Sequence, residues 1–202
     1  MHITVLGASG RAGSEITREL ARRGHTVTAI ARKPETIPQL PNVTPTQGDA
    51  STPATLAPLI AGSDAVISAL HFDVPAATLL TALKQAKVPR LLVTGGAASL
   101  TTADGSRLFD SPDFPAAWKP TAQAGIDFLA DLTSETEIDW TFFSPAAFIF
   151  EGPRLGTYRT ATDTLITDDK GESRISFADY ALAMVDELEA HTNPRARFTA
   201  AY

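Results

Sequence analysis

Short apolar runs alternate with segments of helical spacing through most of this chain. His2–Leu6 is apolar and β-branched, and Arg11–Arg23 follows with Ala12, Ile16 and Leu20 on one stripe, basic residues in its last turn and Gly24 placed to end it. Thr26–Ala31 reads as a second strand. A proline-rich crossing from Pro34 to Pro45 leads to a third around Val43–Gln47. Thr52-Pro53 then offers a cap and a first-turn proline for a helix to about Ala61, with Pro58 inside it. Asp64–Leu70, Ala76–Ala86 and Arg90–Thr94 continue as strand, helix and strand. Near-continuous apolar strands separated by helices predict a parallel sheet covered on both faces.

The rhythm loosens after residue 95. Residues 96–115 form a polar loop too long for a simple connector, which marks it as a place for active-site work. A helix over roughly Ala116–Leu132 and a strand at Trp140–Phe143, continuing into Ser144-Pro145, restore the alternation. Thr157–Ile166, a turn at Asp168–Gly171 and Glu172–Ile175 then read as a β-hairpin. Ser176-Phe177-Ala178-Asp179 opens a last helix to about Ala190 as a capping box, and Arg197–Ala201 reads as a terminal strand. The expected architecture is α/β: one domain over 1–202 with a doubly wound, mostly parallel sheet, in which 146–202 contributes a small C-terminal lobe.

Composition narrows the chemistry. The 202 residues carry a net charge of −6, which argues against a nucleic-acid partner. There is no cysteine, so disulfides, thiolate catalysis and thiolate metal ligation are excluded, and no histidine stands at usable spacing from Asp104, Asp110 and Asp113 to form a metal site. The first strand begins at residue 2 and no apolar run approaches membrane-spanning length, so a cytoplasmic protein without a membrane partner is expected. No serine stands in a nucleophile elbow.

The chemistry-bearing residues gather at the predicted carboxyl ends of the strands. Gly7-Ala8-Ser9-Gly10-Arg11-Ala12-Gly13 joins the first strand to the first helix. Such a turn offers unpaired N–H groups and the positive end of a helix to a phosphate. Its glycines serve a tight turn, close approach of backbone to a pyrophosphate, and close helix packing. Arg32-Lys33 ends the second strand, where an arginine pairs with the 2′-phosphate of NADP and an acid would select NAD. Two solvated charges would look the same, but the glycine turn upstream favours the phosphate. Asp49-Ala50 follows the third strand, with Asp49 either accepting from an adenine amine or capping the next helix. Ala69-Leu70, Thr94-Gly95 and Ser144-Pro145 end the fourth, fifth and sixth strands and should line the same crevice. Thr94 is the hydroxyl best placed for a nicotinamide, His71 a candidate proton donor. Phe109, Phe114 and Trp118 could roof a planar substrate or simply anchor the loop.

Gly7-x-x-Gly10-x-x-Gly13 with Arg32 resembles the atypical short-chain dehydrogenase/reductases, in particular the NAD(P)H-binding, NmrA-like group. Thr94–Leu100, Asp113–Pro120, Asp139–Ala146 and Glu172–Ser176 look like its NADH-flavin reductase branch, which is similar to biliverdin reductase B/flavin reductase. The resemblance implies a Rossmann domain with a C-terminal substrate lobe, binding NADP(H) in preference to NAD(H). It also implies hydride transfer to a small planar acceptor, with flavin a substrate and not a tightly held cofactor. A dinucleotide-binding redox sensor without turnover is the alternative. Catalytic members of the superfamily carry a tyrosine and, four residues later, a lysine; those places fall near Lys119 and Gln123 here, and Tyr158, Tyr180 and Tyr202 all lie beyond them. Reducing a ketone calls for such a donor, whereas a flavin or quinone can take its proton from water.

Overall fold

The apolar runs of the first half become the inner strands of one sheet. The computed structural model describes residues 1–202. In chain order it runs β1 (His2–Leu6), α1 (Arg11–Arg22), β2 (Thr26–Ala31), β3 (Val43–Gln47), α2 (Pro53–Ile60), β4 (Ala65–Ser68), α3 (Ala76–Ala86) and β5 (Arg90–Thr94). It continues with α4 (Lys119–Thr133), β6 (Asp139–Ser144), β7 (Phe148–Phe150), β8 (Arg159–Ala161), β9 (Arg174–Ser176), α5 (Phe177–Ala190) and β10 (Ala196–Ala201). Eight strands lie in the order β3-β2-β1-β4-β5-β6-β10-β8, all parallel except β8. The chain turns back between β1 and β4, and open α/β sheets bind ligands beside such a reversal.

Alternation along the strands sends side chains into two cores. Ile3, Val5, Ile67 and Phe143 join Ile16 and Leu20 of α1 and Met184 and Val185 of α5 on one face. Leu6, Val66, Val93 and Phe142 join Leu56 of α2, Leu79 and Leu83 of α3 and Phe128 of α4 on the other. The two prolines that strain the pattern sit where they cost least. Pro45 lies in β3, the sheet edge, and Pro58 is exposed on the short α2, whose Thr52 cap accepts from the Thr55 N–H at 3.4 Å.

Two expectations need correction. The proposed hairpin does not form: the turn at Asp168–Gly171 is present, but β8 pairs antiparallel with β10, while β9 pairs parallel with β7 in a separate two-stranded sheet. Three-residue strands are too short to fix their partner locally, and β10 inserts between β6 and β8 to take one of them. The fourth helix also begins later than Ala116, because Ala116–Trp118 forms a single 3₁₀ turn before Lys119. Within 146–202, α5 packs on α1 and β10 sits inside the main sheet, so only the β7–β9 pair and its loops stand outside the Rossmann layers. No helix is long and apolar enough to cross a membrane.

Candidate functional site

At the reversal of strand order a cleft of about 860 Å³ opens at the carboxyl ends of β1, β2 and β4. Its floor is the glycine turn. Gly7 has φ +74, a conformation that disfavours side chains, and a Cβ there would stand 2.6 Å from the Ala69 carbonyl oxygen. A Cβ on Gly13 would stand 2.1 Å from the Gly7 oxygen, so the first turn of α1 can rest on the end of β1 only through glycine. The Gly7 and Ala8 N–H groups donate to the Ile30 carbonyl at 2.9 and 3.1 Å and pin the turn to β2. No side chain caps α1 at Gly10, and the Ser9, Arg11, Ala12 and Gly13 N–H groups have no partner within the protein. An uncapped helix start beside a backbone cradle suits a phosphate.

One wall carries charge. Arg32 and Lys33 leave the end of β2 exposed to the cleft. Arg32 is the one arginine whose guanidinium makes no hydrogen bond, ion pair or ring contact. Opposite it, Asp49 accepts the Ser51 N–H at 2.8 Å. That bond, a second from the Ser51 hydroxyl and the charge of Arg32 hold its carboxyl below the ordinary aspartate value. Asp49 does not cap α2, because Thr52 holds that place.

Ser9, Ala50, Ala69, Leu70 and His71 line the same cleft with Gly7, Gly10, Arg32, Lys33 and Asp49. Several candidates lie elsewhere. Ala8, Ala12 and Gly13 pack into the core beneath the turn. The Arg11 guanidinium turns to the Phe177 ring, 5.1 Å from its centroid, and lines a second cavity with Ser14, Glu151 and Gly152. Thr94, Gly95, Ser144 and Pro145 end β5 and β6, beyond the cleft wall: Gly95 packs on the Phe142 ring, and the buried Ser144 hydroxyl has no partner. Lys119 starts α4 with its ammonium 5.6 Å from the Phe109 ring, and Gln123 donates to Asp127 at 2.8 Å. Phe109 meets Phe114 as a tilted pair, while Trp118 is exposed. Thr36, Ser51, Asp73 and Val74 also line the cleft and went unread in the sequence. Thr36 closes the 3₁₀ turn Pro34–Thr36, and the others sit in irregular loops whose approach depends on their neighbours, without a signal of their own in the sequence.

No tyrosine lines the cleft, and all three tyrosine hydroxyls are spent on bonds within the protein. Tyr180 donates to the Phe143 carbonyl at 2.8 Å, and its burial raises its pKa. Tyr158 is raised by burial and by its bond to Asp186. Tyr202 donates to Asp179 at 2.6 Å.

Known proteins share this fold. The NAD(P)H-binding family matches residues 7–189. The uncharacterized protein YwnB of Bacillus subtilis is 42% identical over 212 residues, covering 98% of this chain and 97% of the relative. A "putative epimerase" of Bacteroides thetaiotaomicron superposes with a TM-score of 0.93 at 41% identity, covering 100% of this chain and 96% of that one. A "putative NADH-flavin reductase" of Streptococcus pneumoniae gives 0.86 at 35% identity, covering 100% and 99%. This chain belongs to the NAD(P)H-binding family.

Proposed function

We propose that the protein is an NADPH-preferring reductase of planar conjugated acceptors of the flavin or quinone class. The acceptor class is carried by one observation, the engagement of all three tyrosine hydroxyls in hydrogen bonds within the protein, with no tyrosine among the residues that line the cleft. A ketone becomes an alkoxide on reduction and needs a placed proton donor. A quinone or flavin spreads the incoming charge over its rings and takes one proton from water to complete a two-electron reduction. The likeness to the Streptococcus protein supports the same acceptor class.

When bound, NADPH supplies the hydride and leaves as NADP⁺. The free N–H groups of Ser9 and of the first turn of α1 would hold its pyrophosphate. Arg32, with no partner of its own, would pair with the 2′-phosphate, and Lys33 would add charge. Asp49 would face the adenosine, and Thr94 would stand at the nicotinamide end of the crevice. Catalysis by this chain is then mainly positioning: two rings held together and solvent kept from the hydride. His71 lines the cleft and Lys119 opens α4, and the proposed acceptors require neither as a proton donor.

The test is a turnover screen of NADPH and NADH against flavins, quinones and simple ketones. NADPH should be oxidised with flavins or quinones and not with ketones. Tight NADPH binding with no oxidation by any acceptor would reject the reductase reading and leave a dinucleotide-binding regulator.

A further inference from the structure

The two-stranded sheet places an aromatic ring where a polar residue is expected. Ile149 and Ile175 face inward from β7 and β9 and belong to the core or pack against it. Phe148 and Phe150 alternate with Ile149, so they take the outward face with Arg174, the register partner of Phe148. Outward positions of a sheet with one covered face are normally polar. Phe148 is instead 58% exposed, its ring nearly parallel to that of Phe150 at 10° and 6.0 Å between centroids. Phe150 is held on its own account: the Arg174 guanidinium lies 4.8 Å from its centroid, Tyr202 meets it edge-on, and a Cβ at Gly152 would stand 2.6 Å from its ring. Phe148 is left as the open end of the pair.

Its place in the chain is close to the carboxyl end of β6. Phe148 follows Ser144, the end of β6, by four residues. Just past Phe150, Glu151 and Gly152 share a cavity of about 280 Å³ with Arg11 and Ser14 of the first turn of α1. The open ring thus stands in the segment that runs from the end of β6 to the start of α1, while Arg32 and Asp49 border the cleft on the other side of the glycine turn.

We propose that Phe148 is the platform on which the acceptor's ring stacks. The ligand class is a planar conjugated ring system, an isoalloxazine or a quinone, added to the Phe148–Phe150 pair. This rests on the reductase reading above and deepens it. Phe148→Ala should raise KM for menadione and FMN about tenfold, the scale of one aromatic stacking contact, and leave KM for NADPH and the thermal midpoint unmoved. Phe148→Trp should restore the acceptor KM, which a merely structural phenyl would not do. Quenching of riboflavin fluorescence by the wild-type protein, weakened in Phe148→Ala, reads the same contact without turnover. A wild type that oxidises NADPH with none of the flavins or quinones supplied defeats the reductase reading, and the quenching arm still decides the platform. Unchanged acceptor KM and unchanged quenching in Phe148→Ala overturn the platform alone. A substitution that shifts sedimentation while leaving acceptor binding intact also overturns it, and assigns the ring to a second copy of the chain.

Discussion

The two sides of the glycine turn spend their charges differently. On the side of the large cleft, the site is built from backbone and leaves its cations idle: Arg32 has no partner, and the N–H groups at the start of α1 are uncapped. On the C-terminal side nearly every charged group is consumed by the fold. Asp179 is fully buried and accepts from the Leu155 and Gly156 N–H groups at 2.9 Å and from the Tyr202 hydroxyl. Glu19 gathers Arg22, Arg23 and Arg154, and Arg23 also reaches Asp186 and Glu189. A free charge beside a cavity has its coordination completed by a ligand, whereas a saturated one holds segments together. The first side should therefore answer to substitution in affinity, and the second in stability.

The largest effect expected is on the backbone cradle. Gly13→Ala forces a methyl to 2.1 Å from the Gly7 oxygen, so the turn must move off the end of β1. NADPH binding should be lost, with stability lowered by about 3 kcal/mol, both read by fluorescence titration and thermal melts. If the variant binds NADPH normally, the turn is not the phosphate cradle. Asp179→Ala should show the opposite split. It strands two backbone donors and a phenol at a cost of about 3 kcal/mol, and should leave NADPH affinity unmoved.

How far the two sides could be read in advance follows the same divide. That Gly7, Gly10 and Arg32 face the cleft was legible because the buried parallel strands β1 and β2 announce themselves and the residues just past a strand end face the crevice; Asp49, past the unburied edge strand β3, followed only from the alternation of elements. The bounds of α3 and β5 were legible for the same reason. The C-terminal segment was not. Alternation around Thr157–Ile166 and a true turn at Asp168–Gly171 imply a hairpin locally, but the partners of β8 and β9 are chosen by β10 and β7. The direction of the Arg11 side chain was equally hidden: its N–H stays free at the start of α1, while Phe177, far along the chain, takes its guanidinium. The Ser176–Asp179 capping box is also half a box. Ser176 accepts the Asp179 N–H at 3.0 Å, but its own N–H goes to the Tyr202 hydroxyl and the carboxylate is spent on the 155–156 backbone.

Arg32→Asp sharpens the comparison on the cleft side. Removing a charge-assisted phosphate contact and adding repulsion should weaken NADPH binding roughly 10- to 100-fold. NADH, which lacks the 2′-phosphate, should be little affected, and stability should hold because the guanidinium touches nothing in the protein. Equal losses for the two dinucleotides, measured by titration, would show that Arg32 does not read that phosphate.

The smallest effect is the pH dependence of the saturated side. Burial pushes the Glu19 carboxyl up, but hydrogen bonds and charge from Arg22 and Arg23 outweigh it and bring it from 4.5 to about 2. A carboxylate lowered by folding contributes stability that is complete above its unfolded value and fades as pH falls from about 5 towards 2. With Arg22 largely exposed and screened by solvent, that contribution is about 1–2 kcal/mol. Glu19→Gln should therefore flatten the acid limb of the stability curve between pH 5 and 2 and leave the cleft's affinity for NADPH at neutral pH as it was. An acid limb of unchanged slope in that variant would move the pH sensitivity to other carboxylates and weaken the division between an idle and a saturated side.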